Sequence, residues 1–282
     1  MQLTLACIGE VVGTYLLVVI GTGAVAASLV TGADVGLWQV AAIWGVGLSL
    51  AIYLTGALSG AHLNPAVTLA FALFRPQMFP PRRLLPYWGS QLAGAVLAGL
   101  TTLWVFGTRI ADFEAAERLV RGEPGSELSA MIFGEYFPNP ALFGTGEAVR
   151  ALVSPGSAAI VEAFGTAVLA FVVFAVVDRK RRTGSAILNP LLIGLTLMVL
   201  IGVFAPLTQA GWNPARDFGP RIVAFFAGWG STAIPGPSGG FWVYVVGPLV
   251  GAPLGAFAYD LLSRHVHRLA PVGTAEYEAV VT

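Results

Sequence analysis

Charge is scarce in this sequence. Asp, Glu, Lys and Arg make up 11% of 282 residues, where a soluble domain carries roughly 25%. The 15 basic and 15 acidic residues cancel, so no basic surface is available to neutralise phosphates and no nucleic-acid partner is expected. A single cysteine, Cys7, excludes an intrachain disulfide and a thiolate metal cluster; it reads as a small apolar residue in a helix. Of three histidines, His265 and His267 form "RHVHR" with no carboxylate or third histidine close by, which reads as a solvated tail. Metal-ligand clusters, nucleophile–base arrangements and cofactor motifs are missing, so neither an enzyme nor a bound cofactor is expected. No charged leader with a small-residue cleavage site precedes the first apolar run, which is therefore expected to be a retained helix.

What abounds is apolar surface: 56% of residues are hydrophobic and the mean hydropathy is +0.77. Six stretches approach the roughly 20 residues that cross a bilayer core as helix: Leu3 to Val30, Trp38 to Leu58, Leu84 to Phe106, Ala158 to Val177, Ile187 to Pro206 and Phe241 to Leu262. Tyr87, Trp88, Trp242 and Tyr244 lie near span ends and suit interfacial anchors. Arg75, Arg82, Arg83, the run "DRKRRT" (Asp178 to Thr183), Arg264 and Arg268 all fall on one side of this six-span path. Both termini are thus expected to be cytoplasmic, with the acidic connection Thr108 to Ser157 outside. "RKRR" reads as a topology signal ahead of a lipid-headgroup site.

The chain repeats itself. "EVVGT" (Glu10 to Thr14) matches "EAFGT" (Glu162 to Thr166), "LSGAHLNPA" matches "LTQAGWNPA", and "QLAGA" (Gln91 to Ala95) matches "PLVGA" (Pro248 to Ala252), in the same order. Three spans per half is an odd number, so the halves are inverted, which places a functional site near the midplane between them. Gly247, Gly251 and Gly255, and Gly94 with Ala98, are spaced for close helix packing. One domain is expected over 1–282: a first repeat of about 3–108, an outer loop of about 108–157, a second repeat of about 158–262 and a cytoplasmic tail, 263–282.

Asn64-Pro65-Ala66 and Asn213-Pro214-Ala215 each write a helix start, Asn as N-cap and Pro as first helical residue. The helix after Pro65 is too short to span, so it must re-enter, because unpaired backbone groups in lipid cost several kcal/mol each. Two half-helices then meet by their N-termini, each carrying roughly half a positive charge, a point that repels cations. The carbonyls of Ala61, His62 and Leu63, and of Gly211 and Trp212, are expected to line a path as acceptors, with the Asn amides as donors. Arg216, an intramembrane arginine in the first turn of the second half-helix, reads as a path-lining donor and cation barrier, the bland alternative being a salt bridge to Asp217. Glu10 and Glu162 are expected to brace the two loops by accepting backbone hydrogen bonds.

Two NPA boxes in inverted halves, "SGAHLNPAVT" and "NPARDFGPR", resemble the aquaporin and glycerol-facilitator superfamily from Glu10 to about Leu262. The resemblance implies an all-α membrane protein with six transmembrane helices plus two re-entrant half-helices in an inverted repeat, an aquaporin-like right-handed bundle with a pore in each subunit, and a homotetramer in the cell membrane. Asp217 after "NPAR" is similar to the glycerol-conducting branch. Alignment to the family places Trp44, Ile201, Ala210 and Arg216 at its filter positions. The second aromatic of bacterial-type glycerol facilitators is missing, with Ala210 in its place; this set is more similar to the filter of plant nodulin-like intrinsic proteins. The implied cargo is glycerol and other small uncharged solutes, with water, and the implied surroundings a lipid bilayer. A mainly water-selective channel and an ion-coupled secondary transporter are the alternatives.

Overall fold

The structure, a computed structural model, describes residues 2–178 and 187–269, excepting the side chains of 266–269. The basic run "RKRR", His267, Arg268 and the end of the tail therefore lie outside the described residues or side chains. In chain order the helices are α1 (Leu3–Val30), α2 (Leu37–Ser59), α3 (Pro65–Phe74), α4 (Leu84–Ala116), the short α5 (Glu127–Ala130), α6 (Pro140–Phe143) and α7 (Glu147–Arg150), then α8 (Pro155–Val177), α9 (Asn189–Thr208), α10 (Pro214–Ala224), the short α11 (Gly230–Ala233) and α12 (Val243–Leu269). Among the described residues, six helices are long and apolar enough to cross a membrane.

The two half-helices start where the Asn-Pro pairs put them. Asn64 Oδ1 accepts the Ala66 N–H at 2.8 Å, and Asn213 Oδ1 accepts those of Ala215 and Arg216 at 3.1 and 3.2 Å, so each asparagine satisfies donors that a helix start leaves open. With 10 and 11 residues and a rise of about 1.5 Å each, α3 and α10 reach roughly half of a 30 Å hydrocarbon core. The preceding helices stop abruptly: α2 at Gly60 (φ 87°) and α9 at Gln209 (φ 58°), both left-handed.

Helix pairing follows the inverted repeat. α1 packs on α2 and α4, and α8 on α9 and α12; α2 meets α9 across the halves, while each half-helix packs on the third span of the opposite half, α3 on α12 and α10 on α4. Small residues permit the approach: a Cβ on Gly251 or Gly255 would collide with the Ala163 or Ala167 carbonyl, and one on Gly94 with that of Val11.

Two expectations need correction. Tyr87 and Tyr244 are buried and do not anchor an interface; Tyr87 Oη donates to the Ser59 carbonyl at 2.8 Å and Tyr244 Oη to the Thr208 carbonyl at 3.1 Å, tying the ends of α2 and α9 to the third span of the same half. Trp88 likewise turns inward, its Nε1 donating to the Pro65 carbonyl at 3.0 Å, whereas Trp242 is exposed. The second correction concerns the connection after α4. This helix runs on to Ala116, ten residues past the apolar stretch, because Ile110 and Glu114 are buried against the connecting segment itself: Glu114 takes Arg121 Nε at 3.0 Å and Ser129 Oγ at 2.8 Å. The connection folds as a cap, its Ile132 and Phe133 joining Trp229, from the segment after α10, in a separate apolar cluster.

Candidate functional site

The loops before the half-helices adopt conformations that L-residues seldom visit. Ala61 and Leu63 have φ of 49° and 52°, and Gln209, Ala210 and Trp212 have φ of 58°, 68° and 47°. Such backbone costs of order 1–3 kcal/mol per residue unless its surroundings over-determine it. Here the surroundings are two buried carboxylates. Glu10 accepts the His62 and Leu63 N–H groups at 2.9 and 2.7 Å, and Glu162 accepts those of Gly211 and Trp212 at 3.1 and 2.7 Å. Gln91 Nε2 adds a third donor to Glu10 at 2.7 Å while also reaching Thr68 Oγ1 at 2.8 Å. An isolated carboxylate in an apolar interior is prohibitively costly, and several donors apiece are what make these two tolerable. With the N–H groups drawn back toward the glutamates, the loop carbonyls are left to the other side.

At the meeting point the halves interlock. Asn64 Nδ2 donates to the Trp212 carbonyl at 2.9 Å and Asn213 Nδ2 to the Leu63 carbonyl at 2.8 Å. Each amide nitrogen carries two hydrogens, so one fixes the asparagine and the second remains for a passing acceptor. The Leu63 and Trp212 carbonyls each hold one of these bonds and keep a second lone pair. The half-buried His62 ring packs against Phe71, Phe79 and Tyr87, with centroids 4.6, 4.7 and 5.3 Å away.

Two cavities meet here. The larger, about 350 Å³, runs past Asn64, Asn213, Ala61, His62, Leu63, Ala210, Gly211 and Trp212 toward Tyr53 and Val177. The smaller, about 120 Å³, lies under the folded cap. They share Trp44, Ile201, Gln209 and Arg216, which therefore form the partition between them. Ala210 lines only the larger one. The Arg216 guanidinium carbon sits 4.2 Å from the Trp44 ring centroid, so an indole face and a cation lie side by side. Trp44 is buried and not lipid-facing; Gly21 on α1 makes room for it, because a Cβ there would collide with the indole.

The partner of Arg216 is Glu135 and not Asp217. Arg216 Nη2 is in contact with Glu135 Oε1, both side chains buried, while Arg216 Nη1 is buried without a partner. Asp217 instead bonds Arg221 Nε at 2.7 Å and accepts the Glu135 N–H at 2.7 Å. Arg221 continues to the carbonyls of Ala233, at 2.9 Å, and Glu135. Tyr136 N–H donates to Gln209 Oε1 at 2.8 Å, and Asn139 N–H to the Pro206 carbonyl at 3.1 Å, so the cap is sewn onto the ends of α9 and α10. Burial pushes the Glu135 carboxyl up to about 8, with Arg216 pulling the other way. Sequence reading missed Glu135 and Gln209. The available signal was a lone acid inside "MIFGEYFPNP", an otherwise apolar piece of the long connection.

Arg75, beyond α3, forms a two-point bond with Asp260 of α12 at 2.6 and 2.9 Å, its guanidinium 4.8 Å from the Phe174 ring centroid. This arginine closes a contact between halves.

The sequence profile described as "Major intrinsic protein" matches residues 1–259. The chain belongs to the major intrinsic protein family. It is 42% identical over 279 residues to the glycerol uptake facilitator protein of Pseudomonas aeruginosa, covering 97% of this chain and 94% of the relative. The glycerol uptake facilitator of Escherichia coli K12 is 42% identical over 264 residues, 92% and 89% of the two chains. The propanediol uptake facilitator PduF of Citrobacter freundii is 41% identical over 258 residues, 91% of each. Among solved structures, the aquaglyceroporin of Plasmodium falciparum superposes with a TM-score of 0.79 at 26% identity, covering 95% of this chain and all of that one. This major intrinsic protein is a multi-pass membrane protein, all-helical among its described residues, with the two short helices set between six long ones.

Proposed function

We propose that this protein is a passive channel for glycerol and other small uncharged solutes, with water, and that it excludes ions and protons. The observation that carries the reading is the partition between the cavities, where the Trp44 face lies against the Arg216 guanidinium. An indole offers an apolar surface to carbon and an unpartnered guanidinium nitrogen offers a donor to hydroxyl, the two sides of a polyol. Below it, the second hydrogens of Asn64 and Asn213 and the loop carbonyls let a solute exchange hydrogen bonds step by step. A cation meets two helix N-termini, each roughly half a positive charge, and loses hydration without compensation. The relatives named for glycerol and propanediol uptake support the choice of cargo. In this reading Trp44, Ile201, Ala210 and Arg216 form the filter, Glu10 and Glu162 brace the loops, and Asp217 holds the cap through Arg221. The whole chain forms one channel domain, assembled as a homotetramer in the cell membrane with both termini cytoplasmic.

The test is stopped-flow light scattering of proteoliposomes. Glycerol flux that neither saturates nor depends on a sodium or proton gradient is the expected outcome. Flux requiring a gradient would replace the channel by a coupled transporter, and water flux without glycerol flux by a water channel.

A further inference from the structure

The positive features of the path are stacked in one direction. Two helix N-termini and Arg216 all reject cations, yet none rejects an anion; a helix N-terminus is itself an anion-binding place. Acidic groups near the path are engaged elsewhere. Glu10 and Glu162 face backbone N–H groups behind the loops, and Asp217 is bonded to Arg221 and the Glu135 N–H. Among the described residues lining the two cavities that meet at the partition, Glu135 is the sole acid.

We propose that Glu135 is a specificity-determining residue whose carboxylate cancels the Arg216 charge at the outer end of the path and thereby sets how strongly the channel rejects small anions. The inference rests on the channel reading above. Glu135 reaches Arg216 from the cap, not from a membrane span, and contacts one guanidinium nitrogen, while the other, Nη1, is buried with no hydrogen-bond partner. The pair keeps a donor in the filter without leaving a net charge there. Arg216, Asp217 and Arg221 of α10, Glu162 of α8 and Tyr244 of α12 are the other ionisable groups whose charge Glu135 feels. Because burial raises the Glu135 carboxyl, the cancelling charge is complete above its folded value and is lost as pH falls through it.

The test measures chloride influx, by quenching of trapped lucigenin under a potassium–valinomycin clamp, and glycerol influx, by light scattering, in the same proteoliposomes. At about pH 9, where an exposed or buried carboxyl of this kind is ionised, Glu135→Gln should raise the chloride-to-glycerol permeability ratio about tenfold over wild type, and Glu135→Asp should keep it low. The double variant Glu135→Gln with Arg216→Gln, neutral again, should return the ratio to within about threefold of wild type. The wild-type ratio should climb between about pH 9 and about pH 6 while that of Glu135→Gln stays level. Equal ratios for wild type and Glu135→Gln at the alkaline pH would overturn the proposal. If Glu135→Gln does not assemble, Glu135→Ser takes its place in the same comparison, and a ratio equal to wild type would overturn the proposal in the same way. Wild-type vesicles without glycerol flux would instead sink the channel reading, a separate outcome from an unchanged ratio.

Discussion

Asn213 Nδ2 donates to the carbonyl of Leu63, 150 positions earlier in the chain, at 2.8 Å. With its counterpart from Asn64 to Trp212, this bond makes the two half-helices a single object whose parts come from opposite halves. The consequences of that object and of the partition above it can be measured.

Arg216→Val removes the guanidinium from the Trp44 face and leaves Glu135 buried without its cation. The expected result is a glycerol-to-water permeability ratio changed by at least about threefold, with a small-cation leak that wild type lacks, because an uncompensated buried carboxylate draws cations. Unaltered glycerol, water and ion permeabilities would remove Arg216 from the filter.

Ala210→Phe restores an aromatic where the wall of the larger cavity is lined by a methyl group. Glycerol and urea fluxes should fall about fivefold or more relative to water, since added ring volume in a packed interior cannot be absorbed without displacement. A constant glycerol-to-water ratio would mean that Ala210 does not face the narrow point.

Gly21→Ala places a methyl group in the Trp44 ring. Overpacking of this kind costs about 1–3 kcal/mol, so the unfolding temperature in detergent should drop and glycerol flux with it. Gly107→Ala, which meets nothing within 4 Å, is the matched control and should stay close to wild type. Equal melting temperatures for the two variants would show that Trp44 is free to move.

Glu162→Gln exchanges one acceptor oxygen for a donor that faces the Gly211 or Trp212 N–H. A charged hydrogen bond of this type contributes about 1.5–3 kcal/mol, so the variant should melt lower. Glu10→Gln should melt at least as low, because Gln91 Nε2 also loses its acceptor. Two variants as stable as wild type would show that the left-handed backbone of the loops holds without the glutamates.

Much of this arrangement is legible in the residues. An asparagine followed by proline announces a helix start whatever surrounds it, so the beginnings of α3 and α10 can be read directly. The matched Glu10 and Glu162 are legible because a carboxylate in an apolar helix has to find donors, and the nearest exposed N–H groups belong to the loops. The connection is illegible because composition describes it as an acidic loop, whereas Ile110, Phe133 and Trp229 bury it. Arg216 illustrates the same limit. Its sequence neighbour Asp217 is the obvious partner, but adjacent side chains on a helix point about 100° apart, so Asp217 bonds Arg221 one turn on and Arg216 finds an acid from the cap. The inward turn of Tyr87 and Tyr244 is hidden for a related reason: nearness to the end of an apolar run does not reveal whether a hydroxyl turns toward headgroups or toward a neighbouring helix terminus.

The packing of each half-helix on the third span of the opposite half, α3 on α12 and α10 on α4, dictates when during synthesis the molecule becomes whole. A nascent chain emerging from the ribosome as far as Ala116 has α3 but neither the α12 surface to hold it nor the Asn213 amide to bond its Leu63 carbonyl. The route through the molecule is therefore complete only once α12 has been translated, and a ribosome stalled before Val243 leaves a chain with both tips of the junction and no wall behind the first.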